Sequence, residues 1–414
     1  MKQDQLRDAA LRLHEENRGK LAVAGKVQVK NQADLSLAYS PGVAEPCLRI
    51  HENPEDVYRY TAKGNLVAVI SDGSAVLGLG NIGGAGGLPV MEGKSLLFKA
   101  FAGVDSFPLV LATQDPDQIV ATAQNVAPTF GGINLEDISA PRCFEIEERL
   151  RASLDIPVFH DDQHGTAIVV AAGLLNALKI VGKRIEEIRV VVEGAGAGGT
   201  AVSNLLLDLG VTDLIVTDTK GTIYAGRTAG MNPYKEKLAA RTNPRMVKGH
   251  LEEALKEADV FVGLSVGGTT TKEMVASMRP NPIIFACSNP VPEIWPADAL
   301  AAGAAVVGTG RSDYPNQLNN VLAFPGVFRG ALDVRASTIN EAMKRAAAQA
   351  IADLVTPAEL RAEYIIPGPF DRRVAPAVAA AVAAAAIESG VARAPMAPEA
   401  VAERCRLLVE AFNG

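Results

Sequence analysis

A chain of 414 residues, 48% hydrophobic and 21% charged, has room for two or three domains with sizeable cores. Its net charge of −7 leaves no basic excess to hold nucleic acid. The four cysteines, Cys47, Cys143, Cys287 and Cys405, show no CxxC spacing, so neither a disulfide framework nor a zinc ribbon is indicated, and a reducing cytoplasm fits.

The amino-terminal twenty residues are charged throughout and do not read as a signal peptide. Residues 3–18 predict an amphipathic helix with Leu6, Ala9, Ala10 and Leu13 on one face, stopped by Gly19. A polar run then ends in Tyr39-Ser40-Pro41-Gly42-Val43-Ala44-Glu45-Pro46, a turn-rich loop in which Tyr39 is either a packing anchor or a positioned acid. Residues 66–70 read as a buried strand that runs into a glycine-rich stretch, 71–84. Glycines at that density bring backbone close to a ligand or to another segment. Gly78, Gly80 and Gly83 fit G-x-G-x-x-G, but Pro89 and Met91-Glu92-Gly93 are expected to interrupt the helix that a dinucleotide fingerprint needs. Lys94 then opens an apolar helix. It is either a surface lysine or a partly buried one, and burial would bring its pKa down towards that of a general base.

Residues 107–113 read as another strand, and Asp115-Pro116 starts a helix to about Val126. The apolar segment 131–135 leads into Glu136-Asp137. A short strand at 157–160 leads into Asp161-Asp162, and a helix is expected from Gly165 onward. Open α/β sheets place ligands at the carboxyl ends of their strands. Four carboxylates at two such ends describe a hard-cation site suited to Mg²⁺ or Mn²⁺. Two blander readings compete. His160 and His164 are four apart, as in a helical zinc motif, but a strand end and a helix start would not share a face. Asp162 or Gln163 could simply cap the helix, which leaves Asp161, Glu136 and Asp137 without a role.

The next strong signal is a β-branched strand at 188–192 followed by Gly194, Gly196 and Gly199, then an apolar helix at 200–209. A second strand, 214–217, ends at Asp218. This is the full context of a dinucleotide-binding fingerprint. Asp218 would accept from a ribose 2′-hydroxyl, favouring NAD; Lys220 and Arg227 would meet a 2′-phosphate if they point inward, and the reading leans to NADP. Strands at 259–263, 282–286 and 306–309 and a helix at 272–278 continue the pattern. Asn289, Asn319 and Asn320 are either turn residues or carboxamide contacts to nicotinamide ribose or substrate. The last 90 or so residues are mostly helical, with a break at 364–373, and the alanine-rich run 375–387 is too short to span a bilayer. The expected fold is α/β. Residues 1–160 form a substrate or catalytic α/β domain, 161–390 a Rossmann-type, doubly wound parallel-sheet domain for NAD(P), and 391–414 a helical carboxyl-terminal tail.

Together, AYSPGVAEPC (38–47), SDGSAVLGLGNIGG (71–84), PVMEGKSLLFKAFAGVDSFPLV (89–110), GGINLEDISAPRCFEIEERL (131–150), PVFHDDQHGTAIVVAAGLLNAL (157–178), the glycine fingerprint, CSNP (287–290) and NNVLAFPG (319–326) resemble the malic enzymes of the short bacterial type over nearly the whole chain. The resemblance implies oxidation of L-malate to pyruvate and CO₂ with reduction of NAD or NADP, dependence on Mg²⁺ or Mn²⁺, and decarboxylation of oxaloacetate. It implies a cytoplasmic homodimer or higher oligomer with no membrane or nucleic-acid partner. Tyr39 matches the family's general acid, Lys94 its general base and a substrate contact, and Asp161 the carboxylate beside that lysine. Glu136, Asp137 and Asp162 match the metal ligands. Ala195, Gly196, Ala197 and Gly198, between Gly194 and Gly199, lie in the cofactor phosphate loop. Asn289 and Asn320 match substrate or nicotinamide contacts, with Asn319 beside them. One departure stands out: larger, eukaryotic-like members carry a substrate-binding arginine before LGLG where this chain has Ala75, so a cation for the malate carboxylate is expected from elsewhere, or the metal and amides suffice. With Gly414 as the last residue, the resemblance implies a chain expected to lack the acetyltransferase-like extension of longer bacterial relatives. Two rivals are a metal-independent hydroxy-acid dehydrogenase and a non-catalytic dinucleotide-binding protein. Both leave the carboxylate cluster without a role.

Overall fold

Ten strands, nearly all built from runs of buried apolar residues, form two parallel sheets in the computed structural model, which describes residues 3–76 and 78–413. Leu77, in the first glycine-rich stretch, lies outside the described residues, as do Met1, Lys2 and Gly414. The first sheet contains β1 (Leu66–Ser71), β2 (Asp105–Val110), β3 (Gly132–Leu135) and β4 (Val158–His160) in the order β2-β1-β3-β4, all parallel. The second contains β5 (Arg189–Glu193), β6 (Asp213–Asp218), β7 (Gly221–Thr222), β8 (Val260–Gly263), β9 (Ile283–Ala286) and β10 (Val306–Thr309) in the order β10-β9-β8-β5-β6-β7, where only β7 is antiparallel. β3, β4, β8, β9 and β10 are buried at every position, as parallel strands covered by helices on both faces must be. In each sheet the strand order reverses once, between β1 and β3 and between β5 and β8. Such reversals open a crevice at the carboxyl ends of the strands.

Helices join the two sheets. One core lies between β1, β3 and the helices Pro116–Val126 and Arg142–Ser153. The other face of the first sheet shares a continuous core with the second sheet, through the helices Gly83–Ala102, Asp161–Val181 and Phe324–Asp333. Asp161–Val181 is long and apolar enough to cross a membrane, but two thirds of its apolar window is buried in this shared core. The carboxyl-terminal helix Pro398–Asn413 turns back onto Gly83–Ala102: Leu408 packs on Gly103, and Asn413 Nδ2 donates to the carbonyl of Ala100 at 3.0 Å.

Four expectations change. Gly83–Ala102 is one helix through Pro89, so Lys94 sits in its middle rather than at its start. A proline inside a helix costs about 3 kcal/mol. Burying Met91 and Phe98, both 0% exposed, returns about 2–3 kcal/mol each and offsets that loss. Next, the helix expected from Gly165 begins at Asp161, which puts Asp161 and Asp162 in its first turn, where the helix dipole favours anions. Finally, a helix Ala44–Glu52 starts inside the expected turn-rich loop, and β2 ends at Val110 rather than Thr113.

The helix Gln3–Asn17 forms as expected, but its apolar face does not pack within the chain: Leu6 and Leu13 are more than half exposed. Gln32–Ala38 and Ala44–Glu52 bury none of their residues. This arm is fastened by Lys20, whose backbone N–H donates to Glu92 Oε2 at 2.9 Å and whose ammonium donates to the carbonyl of Pro89 at 2.7 Å.

Candidate active site

The crevice between β1 and β3 collects the acidic side chains. Asp137 follows β3 in the left-handed region, at φ +53°, a conformation that costs a non-glycine residue energy and that its surroundings must hold. Two bonds do so: Ala75 N–H donates to the Asp137 carbonyl, and the Asp137 N–H donates to Asp162 Oδ2, both at 2.9 Å. Glu136 is fixed by Asn134 Nδ2, which donates to its Oε2 at 2.8 Å. Carboxylate oxygens of Glu136, Asp137 and Asp162 lie within 4.8 Å of one another. Among the described residues this is the one such cluster of three acidic, histidine or cysteine side chains.

Lys94 reaches the cluster from the middle of its helix. It is buried, with Nζ 2.5 Å from Asp161 Oδ2, 2.9 Å from Glu136 Oε1 and 4.2 Å from the centre of the Phe324 ring. Asn320 also donates to Asp161 Oδ2. Gly165 makes room for this arrangement, since a Cβ there would lie 1.9 Å from Asp161 Oδ1. Burial alone would lower the Lys94 pKa, as the sequence reading expects. The neighbouring Asp161 and Glu136 outweigh burial and hold it above the usual lysine value, so in this state Lys94 is an ammonium ion.

Four carboxylates therefore face one cation. Burial raises Asp161 to about 7, with Lys94 opposing and Glu136 adding to the rise. Burial and the adjacent carboxylates likewise push Glu136, Asp137 and Asp162 up. Asp137 Oδ2 is buried and meets no protein donor. A deficit of positive charge and a bare buried oxygen, in an all-oxygen donor set, fit a hard divalent cation. The histidines do not converge on a zinc site. His160 is neutral, held down to about 4 by burial, whereas His164 turns away to Glu147 and Lys344.

Glu147 was not singled out from sequence. It lies on Arg142–Ser153 and is buried, accepting from His164 Nε2 at 2.8 Å, Gln163 Nε2 at 3.1 Å and the His160 backbone N–H at 3.3 Å. It thereby anchors the first turn of the helix that carries Asp161 and Asp162. Burial pushes its pKa up, but His164 and Lys344 hold it down to about 2. A signal was present: Glu147 falls among Phe144, Ile146 and Leu150 on the apolar stripe of that helix.

The second crevice holds the glycine loop. Gly194 has φ +108°, and a Cβ there would meet the Leu264 carbonyl at 2.4 Å. A Cβ on Gly199 would lie 1.8 Å from the Gly194 carbonyl, so only glycine permits this turn. The helix Ala197–Asp208 begins after Gly196 with no side-chain cap, and beside Gly196 there is open space. Its free N–H groups and the room above them, beside Ala195 and Ala197, suit a pyrophosphate. At Gly198 the loop comes within contact of the first crevice: a Cβ there would lie 3.3 Å from the Asp162 carbonyl. The dinucleotide loop and the carboxylate cluster thus adjoin.

At the end of β6, Asp218 is engaged. Arg227 Nη1 donates to it at 2.9 Å, Nη2 donates to its other oxygen, and Lys235 Nζ donates at 2.6 Å. Arg227 points inward and also donates to the carbonyls of Gly221 and Thr222; of Lys220, the backbone N–H reaches Asp218. Asn289 lies against Gly310 at the ends of β9 and β10. Asn320 touches Asp161, while Asn319 caps a turn by accepting from Val321 N–H at 3.0 Å, as a turn residue does. Tyr39 is not buried with Lys94: it ends Gln32–Ala38 on the arm and is 69% exposed. Arg142 bonds Asp72, Ser139 and the Gln114 carbonyl beside the first crevice.

Residues 18–151 match the family profile described as malic enzyme, N-terminal domain, and residues 163–387 that described as malic enzyme, NAD binding domain. The chain is 62% identical over 403 residues to the bifunctional malic/malolactic enzyme of Bacillus subtilis, covering 97% of this chain and 98% of that one. It is 55% identical to the NAD-dependent malic enzyme of Geobacillus stearothermophilus, over 91% of this chain and 78% of the relative. It spans about half the length of several NADP-dependent malic enzymes that it matches. The crystal structure of a malic enzyme from Pyrococcus horikoshii superposes with a TM-score of 0.93 at 49% identity, over 98% of this chain and 96% of that one.

Proposed function

This chain belongs to the malic enzyme family, and from that premise we propose that it converts L-malate and NAD(P)⁺ to pyruvate, CO₂ and NAD(P)H at the joined crevices. The observation that carries the proposal is the closeness of Gly198, in the glycine loop, to the backbone of Asp162. That closeness supports a reading in which a dinucleotide would bind beside a buried lysine and a three-carboxylate cation site. Glu136, Asp137 and Asp162 would hold Mg²⁺ or Mn²⁺. When bound, such a cation polarises the C2 oxygen of the substrate and competes with Lys94 for the carboxylates. A nicotinamide bound at the glycine loop would supply the acceptor for the hydride leaving C2.

The chain's own residues handle the protons. Lys94 would shed its proton once a cation neutralises the carboxylates that hold it as an ammonium ion, and the free amine, oriented by Asp161, takes the proton of the C2 hydroxyl. Asn320 donates to the same Asp161 oxygen as Lys94 and helps to fix that carboxylate. Once the C4 carboxylate has left as CO₂, its electron pair remains in an enol, and Tyr39 gives C3 a proton to yield pyruvate. Asn289 lies at the strand ends where the nicotinamide ribose and substrate would sit. Asp218, Arg227 and Lys235 form a trio of net charge +1 beside the adenosine end, which favours a 2′-phosphate and hence NADP. Tyr39 is supplied by an arm whose apolar side chains stay exposed in the single chain. We infer that a second copy covers that arm in a homodimer.

A second outcome at the same site is supported by the 62% identity to a malic/malolactic enzyme. Pyruvate kept in place would be reduced by the NAD(P)H just formed, giving L-lactate and CO₂ from malate with no net change in the cofactor.

The test is an initial-rate measurement of reduced nicotinamide with L-malate, using NAD and NADP, each with Mn²⁺ and with EDTA, and assaying pyruvate and lactate. Metal-dependent reduction with pyruvate, faster with NADP, is the expected result. Reduction that ignores EDTA and leaves oxaloacetate would mean an ordinary dehydrogenase. Lactate accumulating without net absorbance change would mark the malolactic route.

A further inference from the structure

Glu293 follows β9 in the loop before the helix Pro296–Ala301, and no step above uses it. Its side chain is 0% exposed. One carboxylate oxygen accepts from the backbone N–H of Ser265, the other from that of Ser288, each at 3.0 Å. Its own carbonyl accepts from Thr270 N–H at 3.1 Å. Ser265 lies in the loop after β8 and Ser288 in the loop after β9, immediately before Asn289. Both loops rise from strand carboxyl ends on the half of the sheet beyond the β5–β8 reversal. In a doubly wound sheet that half receives the second nucleotide of a dinucleotide.

The surroundings are built around this carboxylate. Gly263, the last residue of β8, has no side chain, and a Cβ there would lie 2.5 Å from Glu293 Cδ. Across the crevice Glu193, the last residue of β5, accepts from Thr269 Oγ1 at 2.9 Å. The loop 265–270 is therefore held between two carboxylates, one from each side of the reversal. A buried carboxylate is costly, and a packing role alone would be met by an apolar side chain. What a carboxylate adds is two acceptors at a fixed spacing for two N–H groups on separate loops.

We propose that Glu293 is a positioning residue for the dinucleotide: it sets the Ser265 loop and the Ser288-Asn289 turn at the separation that admits the nicotinamide half. This rests on the reading that the chain uses NAD(P). Glu293 acts on the cofactor crevice and not on the carboxylate cluster, so the two halves of the reaction should separate when it is changed.

Glu293→Gln keeps the size but replaces one acceptor with an NH₂ that faces an N–H. The affinity for NADPH and NADH, read by the fluorescence of the reduced nicotinamide, is expected to fall about tenfold or more, and the KM for the oxidised dinucleotide to rise with it. Mn²⁺ affinity, and Mn²⁺-dependent decarboxylation of oxaloacetate without dinucleotide, are expected to stay within about twofold. Gly263→Ala, which pushes on the same carboxylate from β8, should give the same split, and it serves if Glu293→Gln does not fold. Equal loss of dinucleotide affinity, Mn²⁺ affinity and decarboxylation would show a merely structural role and overturn the proposal. Unchanged dinucleotide affinity in both variants would overturn it as well. Wild-type protein that binds neither dinucleotide would sink the underlying reading and this proposal together, an outcome distinct from a wild type that binds and variants that bind equally.

Discussion

At the scale of single residues, the site depends on what one side chain leaves room for. Asp161 folds back over Gly165, where a Cβ would lie 1.9 Å from its Oδ1. Gly165→Ala must therefore move the carboxylate that holds Lys94. Malate oxidation should fall about 100-fold or more, the scale of a misplaced acid–base group, with a far smaller fall in Tm. A kcat within twofold of wild type would show that Asp161 is free to sit elsewhere. Lys94 and Tyr39 should separate in the same way. Lys94→Ala should lower malate oxidation by about 10²–10⁴-fold. Tyr39→Phe should mainly impair conversion of oxaloacetate to pyruvate, followed directly by product assay, and intact conversion would remove Tyr39 from the acid's role. The carboxylates, the lysine and the glycines were legible in the sequence because their side-chain chemistry is written there. The protonation state of Lys94 was not, because Asp161 lies 67 residues away and only the fold sets them 2.5 Å apart.

At the scale of elements, the helix Asp161–Val181 holds the molecule together. Its first turn carries two carboxylates, and its body fills the core shared by both sheets. That turn leans on Glu147 of the neighbouring helix. The folded pKa of Glu147, about 2, is below its ordinary value of 4.5. Its contribution is therefore complete above about pH 4.5 and is lost as the pH falls through about 2. The integrated effect is on the order of 3 kcal/mol. Melting temperature measured from pH 7 down to pH 2 should fall more steeply in wild type than in Glu147→Gln over the acid limb. The carboxyls that burial raises act with the opposite sign, so the difference between the two proteins isolates Glu147. Parallel curves would mean that Glu147 does not clamp the helix. The sequence placed this helix by its apolar periodicity, yet began it four residues late, since a first turn rich in polar residues hides the period. It likewise broke the Gly83–Ala102 helix at Pro89, because local propensity cannot weigh the burial of Met91 and Phe98 against a proline.

At the scale of the whole molecule, the arm stands apart from the core. Leu37 is 78% exposed on the helix that ends at Tyr39, and Val23 and Val27 are more exposed than half. If a second copy covers them, sedimentation at micromolar concentration should give twice the chain mass. Leu37→Asp should shift the protein to monomer and lower malate oxidation, while the melting of the core stays near wild type. A wild-type monomer would rule the dimer out. By itself the sequence determined two α/β units, a dinucleotide loop after β5 and acidic pairs at the ends of β3 and β4. These rest on periodicity, on glycine geometry and on side-chain type, which are local properties of the chain. Only the tertiary structure decided that Asp161 and Glu136 hold Lys94 as an ammonium ion, that Arg227 and Lys235 bind Asp218, that Glu147 and Glu293 are buried anchors, and that Gly198 of the glycine loop lies close to the Asp162 backbone. Each of these depends on groups far apart in the chain being pressed together where water is excluded, and neither distance nor exclusion of water is encoded in any one stretch.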